Sequence, residues 1–286
     1  MIVNPFAGGG RAALALAGVQ GALSDRGLEH RVERTRSLEH AGELALAAAA
    51  AGEVAVAFGG DGLLGAIAGA LKHSDGVVGV LPGGRGNDFA RVVGIPLEPR
   101  TACEVLASGV VRQLDLGLAG ARTFIGIASC GFDSEANRVA NEARVVRGNL
   151  VYVYGALRAL YDWKPAAFTV KLDGGEVHTI SGYTVAAANS KSYGGGMLLA
   201  PDASLEDGLL EVVMIGHVPK RRFLRLLPTV FKGEHVRQPN VQVLRAHEVE
   251  ISAEDPFMMY ADGDPVGQLP MTVRALPGAV KVIVPR

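Results

Sequence analysis

The first 118 residues alternate between short, mostly apolar stretches and longer stretches rich in alanine and leucine. The short stretches have the length of β-strands: MIVNP at the start, HRVERT at 30–35, VAVAF at 54–58 and GVVGVLP at 76–82. The stretches between them have the length of helices: 11–26, 38–51 and 62–72. Strands such as VAVAF, which lack a polar face, need helices on both sides of their sheet. This half therefore predicts a doubly wound, three-layer α/β domain over residues 1–118.

From residue 119 onward, apolar and polar residues alternate, and turn residues separate the segments. The segments with this pattern include AAFTVKLDG, HTISGYTVAAAN, GLLEVVMIG, NVQVLRAHEVEIS and AVKVIVP. Their period of two predicts an antiparallel β-sandwich domain over residues 119–286. Helices are expected at 134–145, 149–162 and 218–233. The last strand either completes the sandwich or returns toward the first domain.

Glycine-rich loops follow several predicted strands: NPFAGGG at 4–10, GGDGLLGA at 59–66, LPGGRGNDFAR at 81–91 and YADGDPVG at 260–267. Ligands of α/β sheets bind beyond the carboxyl ends of the strands, so these loops are expected to converge at one edge. Glycine lets backbone N–H groups approach a phosphate, and the N-terminus of the next helix favours negative charge. A glycine turn by itself is more often an ordinary tight turn, and the sequence has no P-loop motif.

Three aspartates of the first half, Asp61, Asp88 and Asp115, lie at or just beyond the ends of predicted strands. A carboxylate beside a phosphate is repelled unless a cation lies between them. Magnesium sites commonly combine one or two carboxylates with substrate phosphates. The three aspartates are therefore candidate magnesium ligands, although each of them alone also fits a helix cap or a turn.

Composition excludes several classes of function. The 28 basic and 29 acidic residues give a net charge of −1, which provides no basic field for a nucleic-acid partner. Two cysteines suit a reducing compartment, and the histidines show no zinc-ligand spacing. No apolar run has the length of a membrane span and no signal peptide is apparent, so we expect a cytoplasmic protein.

Seven segments occur in the order known from one enzyme family: NPFAGGGR, GGDGLLGAI, LPGGRGNDFAR, LDLG, CGFDSEAN, NSKSYGGGMLLAPDASLEDGLLEVVMI and DGDPV. This ordered set resembles the diacylglycerol kinase catalytic-domain family, which includes soluble bacterial lipid kinases and sphingosine kinases. The resemblance runs along essentially the whole chain. It implies a nucleotide-binding α/β domain, a β-sandwich domain similar to that of NAD kinases, and an active site in the cleft between them. It also implies magnesium-dependent transfer of the ATP γ-phosphate to a lipid hydroxyl, as part of phospholipid metabolism.

The resemblance implies roles for individual residues. The catalytic candidates are Asp264 as proton acceptor, Asp262 beside it, and an acidic network that organises catalytic magnesium, formed by Asp61, Asp88 and Asp115. A structural magnesium site is implied at Ser204, Asp207 and Leu209. The residues implied to contact ATP are Asn4, Pro5, Phe6, Ala7, Gly8, Arg11, Thr35, Gly59, Gly60, Asp61, Gly62, Leu63, Gly65, Arg85 and Asn87.

Three residues depart from the family pattern. Leu63 occupies a position where the family usually has a threonine that faces phosphate, and Arg85 replaces a second threonine. We interpret the two changes as linked, since a guanidinium can bind phosphate in place of lost hydroxyls. The third change is Asp264 in place of glutamate, which shortens the acidic side chain by one methylene, roughly 1.5 Å.

The partner expected from the resemblance is a lipid substrate at a membrane surface, reached by peripheral association. The basic segment at 218–233 could bind anionic headgroups, although a solvated helix face explains it equally well. Two other functions stay open: a kinase of a soluble acceptor, similar to NAD kinases, and a regulator of weak activity that binds a nucleotide or a lipid. The sequence also leaves the oligomeric state open, a homodimer included.

Overall fold

The computed structural model of the chain describes residues 1–142 and 150–286. In these ranges the helices are α1 (Arg11–Ser24), α2 (Leu38–Ala50), α3 (Asp61–Ala70), α4 (Asp88–Val92), α5 (Pro99–Ser108), α6 (Phe132–Glu142), α7 (Leu150–Asp162) and α8 (Lys220–Leu226). The strands are β1 (Ile2–Val3), β2 (Glu33–Arg34), β3 (Ala55–Gly59), β4 (Val77–Pro82), β5 (Val110–Ala119), β6 (Arg122–Phe124), β7 (Ile127–Gly131), β8 (Ala166–Leu172), β9 (Glu176–Ala188), β10 (Leu210–Gly216), β11 (Val241–Ala246), β12 (Glu248–Ala253), β13 (Met258–Ala261), β14 (Asp264–Gln268) and β15 (Met271–Val284). Short 3-10 segments occupy Ala7–Gly9, Leu227–Lys232 and Glu234–Arg237.

The first domain is built on the parallel strands β4, β3, β1 and β2, in that spatial order. Helix α1 packs against α5, and α2 packs against α3. The core between these layers contains small and branched side chains, with Phe58 and Ile67 fully buried. The predicted doubly wound α/β domain is confirmed, and each of the three predicted helices differs from the observed one by at most two residues at either end. Helices α4 and α5 were not predicted.

The long strand β15 joins the two domains. Its C-terminal half pairs in parallel with β4, and its N-terminal half pairs with β12 of the second domain. Strand β5 runs antiparallel to β15 along nearly all of its length. The sheet therefore continues from one domain into the other and stays open, with β14 and β2 at its two ends.

The second domain consists of antiparallel strands that pack around apolar clusters, as the β-sandwich prediction requires. Helices α6, α7 and α8 cover a separate aromatic cluster formed by Phe132, Trp163, Tyr183 and Phe223. The predicted helices at 134–145 and 149–162 correspond to α6 and α7, except that residues 143–149 lie outside the described residues. The predicted helical segment at 218–233 is α8 followed by a 3-10 segment. No helix in the described ranges is long and apolar enough to cross a membrane.

Candidate active site

Three glycine-rich loops of the first domain meet at the carboxyl edge of its parallel sheet. The backbone N–H of Gly83 donates to the carbonyl of Gly59 at 2.7 Å. The Arg11 guanidinium donates to the carbonyl of Gly84 at 2.8 Å, which joins the loop after β1 to the loop after β4. A β-carbon on Gly84 would lie only 2.4 Å from the Cα of Gly60, so this approach requires glycine. The predicted convergence of the loops is therefore present in the structure.

The loop after β1 contains three consecutive glycines that are not buried. Gly8, Gly9 and Gly10 all have positive φ, between 62° and 93°, a conformation that favours glycine. The side chain of Asn4 accepts the N–H of Phe6 at 3.0 Å, which turns the chain at the end of the strand. Phe6 is 84% exposed. The loop thus places left-handed glycine backbone and an exposed aromatic ring beside the neighbouring glycine loops.

Helix α3 begins directly at Asp61, and its N-cap Gly60 has no side chain to cap the first turn. Such a helix N-terminus attracts anions through its N–H groups and its dipole. The Asp61 carboxylate accepts N–H groups from Asp88 and Phe89, each at 3.1 Å. Burial raises the pKa of Asp61, and the nearby charge of Asp88 raises it further. Asp61 thus connects the start of α3 to the start of α4.

Asp88 is 7% exposed and is bound by a loop of the second domain. Its two oxygens accept the N–H groups of Gly195 at 2.8 Å and Gly196 at 2.7 Å. The hydroxyl of Ser192 donates to the same carboxylate at 3.4 Å. The segment KSYGGGM, where these residues lie, therefore fixes the acid of one domain to the backbone of the other.

Asp262 lies in the tight turn between β13 and β14, and Asp264 directly follows that turn as the first residue of β14. Asp262 (φ 49°) and Gly263 (φ 88°) form a two-residue hairpin turn, since Ala261 pairs with Asp264. The Asp262 carboxylate accepts three backbone N–H groups at 2.8 to 3.3 Å, from Ile125, Gly126 and Ile127. Burial raises its pKa to about 7, and the charge of Asp61 contributes in the same direction.

The hairpin turn faces the first turns of α3. A β-carbon on Gly62 would lie 3.2 Å from Oδ2 of Asp264, and one on Gly65 would lie 3.3 Å from Oδ2 of Asp262. The side chain of Asp264 is 42% exposed and makes an ion pair of 2.7 Å with Arg122. The structure therefore brings Asp61, Asp262 and Asp264 together across the boundary between the domains.

A cleft of about 390 Å³ opens beside this hairpin. One wall belongs to α2 and α3, with Leu38, Glu39 and Ala66, and the other wall contains Arg122, Thr123 and Val266. The pKa of Glu39 is lowered mainly by its own backbone N–H, then by Ser37, and the charge of Arg122 across the cleft adds to the effect. Polar and apolar groups thus line the cleft together, with Asp262 at its surface.

Asp115 has different partners from the other acids. It is 2% exposed, and its carboxylate accepts the N–H groups of Gly208 and Gly278, both at 2.7 Å. In the described ranges no hydrogen bond joins it to Asp61 or Asp88. We therefore assign its contacts to the loop at 204–209, whereas its role in the catalytic network stays a prediction.

The loop at 204–209 contains the predicted structural metal site. The Ser204 hydroxyl accepts the N–H of Glu206 at 3.2 Å, and the exposed Asp207 accepts the N–H of Leu209 at 3.1 Å. These are local turn contacts, and each oxygen keeps a second lone pair for another partner. Asp115 anchors the loop that contains the three predicted ligands, and the structural metal site itself stays a prediction.

The structure corrects the expectation for Leu63. Its side chain is 3% exposed and packs in the core of the first domain against Gly59, where an added β-carbon would lie 2.6 Å from it. The side chain is therefore inaccessible to a phosphate group, and only the backbone of Leu63 stays a candidate for ATP binding. Arg85 is exposed, and among the described residues it has no hydrogen-bond or ion-pair partner.

The other predicted nucleotide residues lie in or beside the same loops. Asn87 has a positive φ of 51° and binds both backbone groups of Gly84, which closes the turn that carries Arg85. Thr35 is 8% exposed, and its hydroxyl donates to the carbonyl of Ser37. Thr35 follows β2, whose neighbour in the sheet is β1. Pro5 and Ala7 lie in the loop after β1.

Sequence reasoning did not identify Arg122, Glu39, Ser192 or Asp133 as parts of this region. Burial raises the pKa of Asp133 to about 6, and the Thr184 hydroxyl donates to it at 3.2 Å. The segment with Ser192 was noticed in the motif set, but only the fold brings it to Asp88. For Arg122 the sequence carries no signal, because its partner Asp264 is 142 residues away along the chain.

The carboxylates of Asp61 and Asp88 suit a magnesium ion. A β-carbon at Gly86 would lie 2.6 Å from Oδ2 of Asp88 and 3.4 Å from Oδ2 of Asp61, so the two carboxylates approach the same point beside this glycine. Magnesium prefers such hard oxygen ligands. In the described ranges no group of three or more His, Cys, Asp or Glu side chains could hold a metal ion. An ion at this position would need further oxygens from phosphate or water.

Comparison with known proteins assigns the chain to a family. Residues 1–119 match the model of the diacylglycerol kinase catalytic domain, and residues 126–284 match the YegS C-terminal NAD kinase beta sandwich-like domain. A diacylglycerol kinase of Mycobacterium tuberculosis is 37% identical over 80% of this chain and 75% of its own length. The chain belongs to the diacylglycerol kinase family of lipid kinases. It is accordingly a phosphotransferase that has an alcohol group as acceptor.

Other relatives agree with this assignment. A diacylglycerol kinase of Bacillus subtilis is 29% identical over 80% of this chain and 76% of its own. A probable YegS-like lipid kinase of Chromohalobacter salexigens is 30% identical over 79% of this chain and 74% of its own. The structure of a putative diacylglycerol kinase from Bacillus anthracis superposes with a TM-score of 0.81 at 20% identity, covering 99% of this chain and 95% of that one. An NAD kinase from Archaeoglobus fulgidus gives a TM-score of 0.50 at 18% identity, with 99% and 92% coverage, which is a likeness of fold.

Proposed function

We propose that this chain transfers the γ-phosphate of ATP, with magnesium, to a hydroxyl group of diacylglycerol or a closely related lipid. One observation carries the proposal. The glycine loops and acids of the first domain lie directly opposite the Asp262–Asp264 hairpin of the second domain. A phosphoryl donor and an acceptor bound on the two sides would meet between these acids.

The nucleotide is assigned to the first domain. The glycine backbone at Gly8, Gly9 and Gly10, none of which is buried, and the uncapped start of α3 suit the phosphate groups. Arg85 has a free guanidinium that can reach a phosphate without first breaking another contact in the described structure. This arrangement supports ATP as donor, in agreement with the kinase family.

Asp61 and Asp88 are the proposed ligands of the catalytic magnesium ion. When bound there, magnesium would neutralise charge that develops on the transferred phosphoryl group. The N–H groups of Phe89, Gly195 and Gly196 keep the two carboxylates in place, so the position of each acid is defined before any ligand binds.

Asp264 is the proposed proton acceptor. The carboxylate of Asp262 is engaged with three backbone N–H groups, and its pKa is raised to about 7, so it serves to position the hairpin. Asp264 is more exposed and lies against Arg122 and Gly62, which line the cleft, so an acceptor hydroxyl bound there could approach it. The hydroxyl oxygen would attack the γ-phosphorus, ADP would leave, and the hydroxyl proton would pass to the Asp264 carboxylate.

The cleft beside Asp262 suits the head group of the acceptor. Its volume of about 390 Å³ falls in the range of small-molecule sites, and Arg122 and Thr123 provide polar contacts next to apolar Leu38 and Val266. The acyl chains of a diacylglycerol would leave this space toward a bilayer. The proposal therefore includes peripheral association with a membrane surface in the cytoplasm.

The test is a phosphorylation assay with ATP, with and without magnesium, on a panel of acceptors. The panel contains diacylglycerol, monoacylglycerol, a long-chain base and NAD, and the double variant Asp61→Asn, Asp264→Asn controls for contaminating kinases. We expect magnesium-dependent phosphorylation of a glycerolipid that the double variant lacks. Phosphorylation of NAD alone would replace the proposal by a soluble-acceptor kinase. ATP binding without transfer to any acceptor would replace it by a non-catalytic regulator.

A further inference from the structure

Helix α7 exposes a stripe of large side chains. Tyr154, Leu157 and Tyr161 are 44%, 51% and 79% exposed, and Arg158 lies on the same face at helical spacing. The other side of the helix is buried through Ala159 and Leu160, which pack in the aromatic cluster with Trp163, the residue that follows the helix. Isolated exposed apolar side chains are ordinary, but a stripe of them along one helix indicates an interaction surface.

The segment around α8 exposes cations that are free of other contacts. Arg221, Arg222, Arg225 and Lys232 are exposed, and none of them has a hydrogen-bond or ion-pair partner among the described residues. The sequence between residues 218 and 233 contains no acidic residue. Leu224 and Phe231, on the same segment, are 41% and 54% exposed. The segment therefore offers positive charge and apolar side chains together.

The two elements are neighbours. The Lys220 ammonium group donates to the carbonyl of Tyr161 at 2.8 Å, so the end of α7 meets the start of α8. Both helices pack on the same aromatic cluster, α7 through Leu160 and α8 through Phe223. Their outer sides therefore form one surface, which we call the α7–α8 face and define by Tyr154, Leu157, Tyr161, Arg221, Arg222, Leu224, Arg225, Phe231 and Lys232.

We propose that the α7–α8 face docks the protein onto the surface of an anionic lipid bilayer. Unpaired arginines complement anionic headgroups, and tyrosine prefers the boundary between water and hydrocarbon. Exposed leucine and phenylalanine side chains add apolar area that can enter the acyl boundary. The proposal rests on the proposed function, since a lipid acceptor must be taken from a bilayer.

Charge also argues against a second copy of this chain as the occupant. A symmetric dimer through the α7–α8 face would bring Arg221, Arg222 and Arg225 of one protomer close to the same residues of the other. Juxtaposed like charges oppose association. An anionic surface removes this repulsion and uses the same residues favourably.

The α7–α8 face is fixed to the candidate active site by backbone contacts. The N–H of Leu198 donates to the carbonyl of Val230 at 3.0 Å. The loop that contains Leu198 also supplies the Gly195 and Gly196 N–H groups that bind Asp88. A docked α7–α8 face therefore fixes the orientation of the active site relative to the bilayer.

The first test measures binding of the protein to vesicles by flotation. Vesicles of equimolar phosphatidylglycerol and phosphatidylcholine are compared with vesicles of phosphatidylcholine alone, at low and high salt. We expect binding to the anionic vesicles that salt weakens. Replacing Arg221, Arg222 and Arg225 by glutamine should lower the partition coefficient roughly 100-fold, because each cation contributes about 1 kcal/mol near such a surface. The double variant Leu157→Ser, Tyr161→Ser should weaken binding at both salt concentrations.

Matched controls remove the same groups elsewhere. The triple variant Lys72→Gln, Arg100→Gln, Arg286→Gln loses the same charge, and Leu14→Ser, Leu46→Ser removes exposed leucines from α1 and α2. Both controls should bind like the wild type. Equal binding by the arginine variant and its control would overturn the proposal. Wild-type protein that binds anionic vesicles no better than phosphatidylcholine vesicles would also overturn it. Loss of a dimer, seen by sedimentation of the arginine variant, would overturn it in favour of a second copy.

Activity separates this inference from the proposed function. With a short-chain acceptor dissolved in water, the variants of the α7–α8 face should phosphorylate it as fast as the wild type does. With an acceptor in vesicles, their rate should fall in proportion to their weaker vesicle binding. A wild type inactive on every acceptor would contradict the proposed function, and flotation would still decide the inference. Variants that are equally slow with the dissolved acceptor would overturn the inference.

Discussion

Replacing Asp264 by asparagine is the most direct test of the proposed chemistry. The substitution removes the charge of the proposed proton acceptor and keeps nearly the same shape. The Asp264 side chain is 42% exposed and that of Arg122 is 33% exposed, so solvent screens their ion pair. Such pairs contribute about 0 to 1 kcal/mol to stability. We therefore expect a folded variant whose melting temperature falls by only a few degrees.

The loss of turnover should be much larger than the loss of stability. A positioned general base typically accelerates a reaction by about 10² to 10⁴, which corresponds to roughly 3 to 5 kcal/mol of transition-state stabilisation. We expect the turnover number of Asp264→Asn to fall by this factor. The affinity for ATP should change little, because the glycine loops that we propose to bind phosphate lie in the other domain.

The assay combines calorimetric binding of a non-hydrolysable ATP analogue with initial rates on the best acceptor. The variant Asp264→Glu tests whether side-chain length limits the reaction. Its longer side chain restores the length usual in the family, so turnover should be retained or raised. The matched control is Asp75→Asn, which also breaks a surface ion pair, with Lys281 at 2.6 Å, but outside the cleft. Turnover of Asp264→Asn equal to that of the control would show that Asp264 is only a turn residue.

Three further predictions concern the neighbouring acids and loops. Asp61→Asn should remain folded but lose turnover by orders of magnitude and require more magnesium; near-normal turnover would refute the metal assignment. Arg85→Ala should weaken ATP binding. Adding Leu63→Thr should not restore that binding, because Leu63 is buried, and should instead lower the unfolding free energy by about 1 to 3 kcal/mol. Rescue in the double mutant would contradict this. The Asp262 carboxyl has a pKa of about 7 in the folded protein, against an ordinary value of 3.8. The folded state therefore holds this proton more tightly than the unfolded chain does. The free energy of unfolding should fall as pH rises from 3.8 to 7, by up to about 4 kcal/mol in total. Denaturant titrations at a series of pH values measure this dependence, and in the Asp262→Asn variant the fall in unfolding free energy with pH should disappear.

The sequence predicted the parts of the fold that depend on local patterns. Apolar runs such as VAVAF identified the parallel strands, and the carboxyl ends of parallel strands meet at one edge whatever the loops contain. The convergence of the loops at Gly8, Gly60 and Gly84 followed from that rule. The helices α4 and α5 were missed because the pattern there is short and lies beside loops rich in glycine and proline.

The contacts of the site could not be predicted because they join distant segments. Asp115 meets Gly208 and Gly278, which are 93 and 163 residues away along the chain. The burial of Leu63 depends on which face of α3 turns toward the sheet, and a motif does not reveal this. The family pattern suggested a phosphate contact at Leu63, whereas packing of the core decides otherwise.

The acids of the site differ in what their carboxylates bind, and this difference supports the assigned roles. Asp61, Asp88, Asp115 and Asp262 each accept at least two backbone N–H groups, all of them from a different segment. When the carboxylate is ionised, each such bond contributes about 1.5 to 3 kcal/mol, so these acids also join the segments that form the site. In the described ranges the Asp264 carboxylate instead binds a side chain, that of Arg122, which can turn away without disturbing the backbone. Asp264 can therefore change its partner during a reaction, as a proton acceptor must, while the other four acids maintain the structure around it.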